Sequence, residues 1–198
     1  MAPALETRLI FPTEGLEVRQ QGGLPTITGK FPYNSLAVLS DRGAVRKESI
    51  QPGAFSFTLD DPERDVHLLV GHSFDKPLAS RKAGSLTLKD TEDFLEFVAQ
   101  IPEGAERASH VTDALAMLGA GLIQGVSPGF RVPPKDVVPD AERLVPEPGN
   151  PSVFIRKLFQ LMLFELSLVT RPAYEQSRAE LRALDANPPR TLRSYFVG

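Results

Sequence analysis

Three separated positions carry the residue types of acyl-transfer chemistry: His72, Ser127 and Glu165. A serine hydroxyl is a weak nucleophile until an imidazole takes its proton, and the imidazole works best when a carboxylate fixes its tautomer and stabilises its cation. Ser127 stands in the stretch Gly125, Val126, Ser127, Pro128, Gly129, Phe130. Its flanking glycines put no Cβ in the way of an approaching backbone. Leu122, Ile123 and Val126 read as the end of a buried strand, which would hold Ser127 on rigid structure. His72 shares a period-two face with Val66, Leu68 and Val70, and Gly71 and Ser73 mark the end of that strand. Glu165 lies inside Leu158 to Thr170, the most apolar run of the chain, where an ionised carboxylate is costly unless a cation or several donors receive it.

Each residue also has a plainer reading. Ser127 can be a turn serine beside a proline, His72 a hydrogen-bonded core or rim residue, and Glu165 an outward-facing or arginine-paired glutamate. The order His, Ser, Glu differs from the orders of chymotrypsin-like, subtilisin-like and α/β-hydrolase enzymes, and Ser127 lacks the G-x-S-x-G elbow. Spacing alone leaves both sets of readings open.

The elements that would have to position these residues are mainly β. Weak alternation over 5–10 and 16–20 precedes a strand over 24–31 that ends near Pro32. Pro52 and Gly53 signal a turn before a short segment, to Leu59, of undecided type. Leu86 and Leu88, then Leu95, Phe97, Ala99 and Ile101, alternate with polar residues and predict a hairpin over 85–101. A helix follows, with Ser109 as its cap, an apolar stripe of Val111, Ala114, Leu115 and Leu118, and Gly119 and Gly121 at its end. Six prolines among charged residues predict one long loop over 131–153, either a flap or a disordered segment. The run 158–170 reads as a central strand. Tyr174 to Ala186 reads as a short amphipathic helix, and residues 187–198 as a tail.

Composition narrows the class. The chain has 198 residues, 41% hydrophobic and 24% charged, which fits a single globular domain, here taken as 1–186, with an α+β fold. A net charge of -3 gives no electrostatic case for nucleic acid or an anionic membrane. Without cysteine there is no thiol catalysis, disulfide or cysteine zinc site, and His67, His72 and His110 are too far apart for a helical metal pair. No cofactor and no metal is therefore expected. No apolar stretch is long enough to cross a membrane, and residues 1–15 lack the pattern of a secretion signal, so a cytoplasmic location is expected.

In sequence order, TGKFPYNS (28–35), ESIQPGAF (48–55), VHLLVGHSFDKPLAS (66–80), GSLTL (84–88), GVSPGF (125–130) and FELSLVTRPAY (164–174) form an ordered set of motifs. Together they resemble the prohead maturation proteases of tailed phages, which are similar in fold to the herpesvirus protease assemblin. The resemblance implies a closed or nearly closed β-barrel with a few surrounding helices, and it puts His72, Ser127 and Glu165 on the family's catalytic positions. It also implies oxyanion support from Arg171, with Gly129 keeping the region of Ser127 open. Ser73, where an acidic residue is common, and Ser80, where a glycine is usual, depart from the pattern. The implied activity is a serine endopeptidase that cleaves scaffold and major capsid protein segments, with self-cleavage, inside the immature head in the host cytoplasm. The terminal helix would offer a homodimer contact. A non-cleaving assembly protein of the same fold and an acyl-ester hydrolase are the alternative classes.

Overall fold

The computed structural model describes residues 6–7, 11–12, 16–21, 24–41 and 44–170. The expected terminal helix over 174–186, the tail and Arg171 lie outside them.

Alternation builds the first sheet. In β4 (Leu24–Pro32) and β10 (Phe94–Gln100) every second side chain is apolar and buried, among them Ile27, Phe31, Leu95, Phe97 and Ala99. The two strands pair antiparallel, flanked by β3 (Glu17–Gln21) and β9 (Leu86–Asp90), in the order β3-β4-β10-β9. The expected 85–101 hairpin is therefore present as β9 and β10. Phe31 packs edge-to-face on Phe55 at 6.1 Å, near the middle of the core.

A second sheet runs β12-β13-β6-β5, from β5 (Leu36–Asp41), β6 (Ala44–Ile50), β12 (Glu142–Glu147) and β13 (Asn150–Leu158). Much of the predicted 131–153 loop is thus a hairpin. Pro146 is tolerated because β12 is an edge strand, where an absent N–H breaks no ladder bond on the open side. Pro148 and Gly149 (φ +80°) supply the turn. The 158–170 run is also not one strand. Leu158 ends β13, and the chain then bends as the Phe159 N–H bonds to Ala141 O and the Leu161 N–H to Ala54 O.

Helix α1 (Ser56–Leu59) is a single turn after Gly53. Its C-terminal carbonyls are received by Arg81, whose guanidinium donates to the oxygens of Thr58, Leu59, Asp61 and Arg64. Helix α2 (Ser109–Gly119) buries Val111 and Ala114. Its cap is Ala108, without a side-chain bond, so Ser109 is the first helical residue and not the cap. Gly121 (φ +70°) ends it as expected, with the Leu122 N–H reaching back to Met117 O.

The third sheet carries the candidate site. It comprises β1 (Glu6–Thr7), β2 (Phe11–Pro12), β7 (His67–Val70), β8 (Ser73–Ser80), β11 (Gly125–Arg131) and β14 (Met162–Val169). The order is β1-β11-β14-β7-β8, with β2 also on β11; β14 runs antiparallel to β11 and parallel to β7. The mainly β, α+β class is as expected. The expected closed or nearly closed barrel is not shown: the strands of the described residues form three sheets, and no closed ladder is found among them. No helix among these residues is long and apolar enough to cross a membrane.

Candidate active site

Strand β14 is the hinge of the site. Leu161, Leu163, Glu165 and Ser167 would share one face of an uninterrupted strand, because the side-chain period is two. The ladder with β11 pairs Phe130 with Leu163 but Gly129 with Glu165, so Phe164 is an extra residue, a β-bulge. The bulge resets the alternation. Leu163, Leu166 and Leu168 face the core with Val126 and Phe130, while Glu165 and Ser167 face the other side with Ser127 and Gly129.

Glu165 is fully buried, so it does not point out from a one-sided sheet. Space for it comes from Gly129. A Cβ at 129 would collide with Glu165 Oε1, so this glycine clears room for the carboxylate. The carboxylate has two partners. Oε1 lies 2.8 Å from His72 Nδ1, and Oε2 accepts from the Ser167 hydroxyl at 2.6 Å.

His72 is not in the strand that leads to it. Gly71 (φ +59°) and His72 (φ +61°) are both left-handed and join β7 to β8 as a two-residue turn closed by the Val70–Ser73 pair. A histidine there is held at a cost of about 1 kcal/mol relative to glycine. Two bonds to β14 offset it: the Gly71 N–H to Leu168 O at 3.0 Å and the His72 N–H to Ser167 Oγ at 2.9 Å. The ring then turns back along β14 to Glu165. With Nδ1–H donating to the carboxylate, Nε2 is the ring's proton acceptor. The His72 side chain is 26% exposed.

Ser127 sits directly across the ladder from Ser167, and directly opposed side chains project to the same face with Cβ atoms about 5 Å apart. It is 1% exposed. Ser127 and Glu165 thus project to one face of the sheet, and His72 reaches Glu165 from the β7–β8 turn. Ser167 was not among the sequence candidates. Its only signal was the spacing Glu165-Leu166-Ser167, which shares a face in any extended strand.

The other histidines are engaged elsewhere. His67 is in register with Glu165, but its Nε2 lies 3.4 Å from Asp65 Oδ2 and its ring stacks edge-to-face on Phe74 at 5.9 Å. His110 bonds to Pro77 O from α2. Among the described residues no cluster of three or more histidine and acidic side chains could hold a metal.

A buried carboxylate oriented on a part-exposed imidazole, with a serine on the same face, is the arrangement of a serine hydrolase. The chain belongs to the caudovirus prohead serine protease family, which it matches over residues 25–189. No curated protein and no solved structure matches it.

Proposed function

We propose that Ser127, His72 and Glu165 are the catalytic triad of this phage prohead serine protease, and that the enzyme cleaves scaffold and major capsid protein segments during head maturation. The observation that carries this reading is the 2.8 Å bond from the imidazole to a fully buried carboxylate, on the face that also bears Ser127.

The reaction follows from the chemistry of the groups. His72 Nε2 takes the Ser127 proton as Oγ attacks the peptide carbonyl, and the imidazolium is stabilised by Glu165 through Nδ1–H. The tetrahedral intermediate collapses when Nε2–H protonates the departing amine. Water, activated by the same nitrogen, then releases the acyl group from Ser127. Arg171, by family resemblance, supplies a cation or an N–H to the oxyanion. Gly129 has a supporting role, leaving room for Glu165. No part of this requires a cofactor.

The test is incubation of the purified protein with a tailed-phage major capsid protein, reading fragment masses over time. Defined fragments from the wild type and none from Ser127→Ala, with unchanged circular dichroism and melting, are expected. Fragments from the mutant at the wild-type rate would overturn the nucleophile assignment. An intact capsid protein, with hydrolysis of small esters only, would favour an ester hydrolase. Mass spectrometry of aged enzyme against Ser127→Ala tests self-cleavage in the same samples, with cleavage after Ala186 expected.

A further inference from the structure

We propose that Ser167 is a positioning residue for the proteolytic reaction, holding both the histidine turn and the glutamate carboxylate through one hydroxyl; the inference rests on the triad reading given above. The Ser167 hydroxyl is fully buried and has two directed bonds. Its oxygen accepts the backbone N–H of His72 at 2.9 Å, and its proton goes to Glu165 Oε2 at 2.6 Å. It therefore connects the base and its orienting acid by a route independent of their own Nδ1–Oε1 bond.

That second route has work to do because each partner is less firmly held without it. His72 stands in a left-handed turn at a hairpin tip, a backbone state that most residues leave when no tertiary bond retains it. The Glu165 carboxylate can rotate about its last torsion, which is broad and roughly two-fold. Ser167 fixes one oxygen of the carboxylate, so the other is presented to Nδ1. Alanine would remove the donor and the acceptor together. Threonine retains both.

The outward consequence concerns rate more than binding. A misdirected imidazole is in the wrong place for the proton transfer, while the surface that holds the peptide is unchanged. Ser167→Ala is expected to lower kcat about 10- to 100-fold, the range for a lost buried hydrogen bond to a charged group, with KM within about threefold. Ser167→Cys, isosteric but a weak donor, is expected to lower kcat in the same direction and serves if the alanine variant fails to fold. Ser167→Thr is expected to retain most of the activity.

Three measurements decide it, all on the full chain. The first is kcat and KM for the three variants on a capsid-derived peptide. The second is proton NMR of the His72 ring Nδ1–H, expected as a downfield resonance in the wild type that broadens or moves in Ser167→Ala and Ser167→Cys but not in Ser167→Thr. A merely structural serine would lower the melting temperature without moving that resonance. The third is labelling with a serine-directed phosphonate, expected on the Ser127 peptide in the wild type and more slowly there in Ser167→Ala. If Ser127→Ala is inactive while the alanine and cysteine variants keep kcat within about threefold and an unchanged resonance, the inference about Ser167 is wrong and the triad stands. Phosphonate found on Ser167 in place of Ser127 would overturn both.

Discussion

Two glutamates are buried at the centre of mixed sheets, and they are handled in opposite ways. Glu48 on β6, 1% exposed, faces Arg156 directly across the parallel ladder with β13. Arg156 Nη1 lies 2.9 Å from Glu48 Oε2, while its Nε and Nη2 reach Glu142 Oε2 at 2.5 Å. Glu165 on β14 has Gly129 and His67 as its ladder neighbours, and its carboxylate passes both to meet a turn residue and a hydroxyl. A guanidinium keeps its charge at every pH a protein survives, and the Glu48–Arg156–Glu142 cluster links β6, β13 and β12. An imidazole can give and take a proton. On the proposed triad, the difference between a structural and a chemical carboxylate is set by the partner and its exposure, since both acids are equally buried.

The comparison is broken most severely from the Glu165 side. His72→Ala and Glu165→Gln are each expected to reduce kcat on a capsid-derived peptide by about a thousandfold or more, because triad members act as a unit. His67→Ala, directly across the parallel ladder from Glu165, should stay within about threefold. Equal losses at both histidines would show damage to the sheet and not to the chemistry.

Gly129→Ala comes next. Its new Cβ would collide with Glu165, so kcat is expected to fall at least about a hundredfold, with stability lower by about 1–3 kcal/mol from overpacking. Denaturant melts alongside kinetics check both numbers. A fully active Gly129→Ala enzyme would mean that Glu165 does not need its present position.

The Glu48 side should answer in stability alone. Glu48→Gln is expected to cost about 1–3 kcal/mol by removing the charge that Arg156 Nη1 faces, with Glu142 still paired to the same guanidinium, while kcat per folded molecule stays near wild type. Pairing it with Arg156→Met should recover much of the loss. A large fall in kcat from Glu48→Gln at constant secondary structure would erase the distinction between the two acids.

The smallest effect sharpens the rule at a third acid. Asp90 holds its proton above the usual carboxyl range, first because of burial, then because of the nearby Asp60 charge, against the opposing bond from the Tyr33 hydroxyl at 2.6 Å. A carboxyl raised in the folded state contributes stability below the ordinary value of about 3.9, and the contribution is lost as pH rises through its folded value. Asp90→Asn is therefore expected to flatten the melting temperature against pH in the mildly acidic range and leave kcat unchanged. An unaltered melting profile would contradict the assignment.

The sequence made local burial legible and long-range pairing not. Leu95, Phe97 and Ala99 announced β10, and the α2 stripe announced its buried face, because side-chain period reports which side of an element meets the core. The same logic placed His72 on the face of Val66 and Leu68, and failed there. Two consecutive left-handed residues end the strand, and a histidine in that state leaves no periodic trace. The β12–β13 hairpin was hidden by counting prolines without asking which of them an edge strand tolerates. The bulge at Phe164 was hidden more deeply, since it exists only in the pairing of β14 with β11. His72, Ser127 and Glu165 were singled out by chemical type and family resemblance; the space that Gly129 leaves for Glu165 and the two bonds of Ser167 required the ladder.

That ladder also imposes a timetable on synthesis. The strand that holds Ser127 and the strand that leads to His72 do not touch each other; β14 lies between them. Glu165 is 93 residues beyond His72, so a ribosome working at roughly 5–20 residues per second takes roughly 5–20 s to join the two ends of the site. Until β14 has emerged and inserted, a nascent chain has a serine and a histidine on separate pieces of unfinished sheet. The last described strand to be made is the one that brings Glu165 to His72, so the proposed triad is incomplete until that strand is in place.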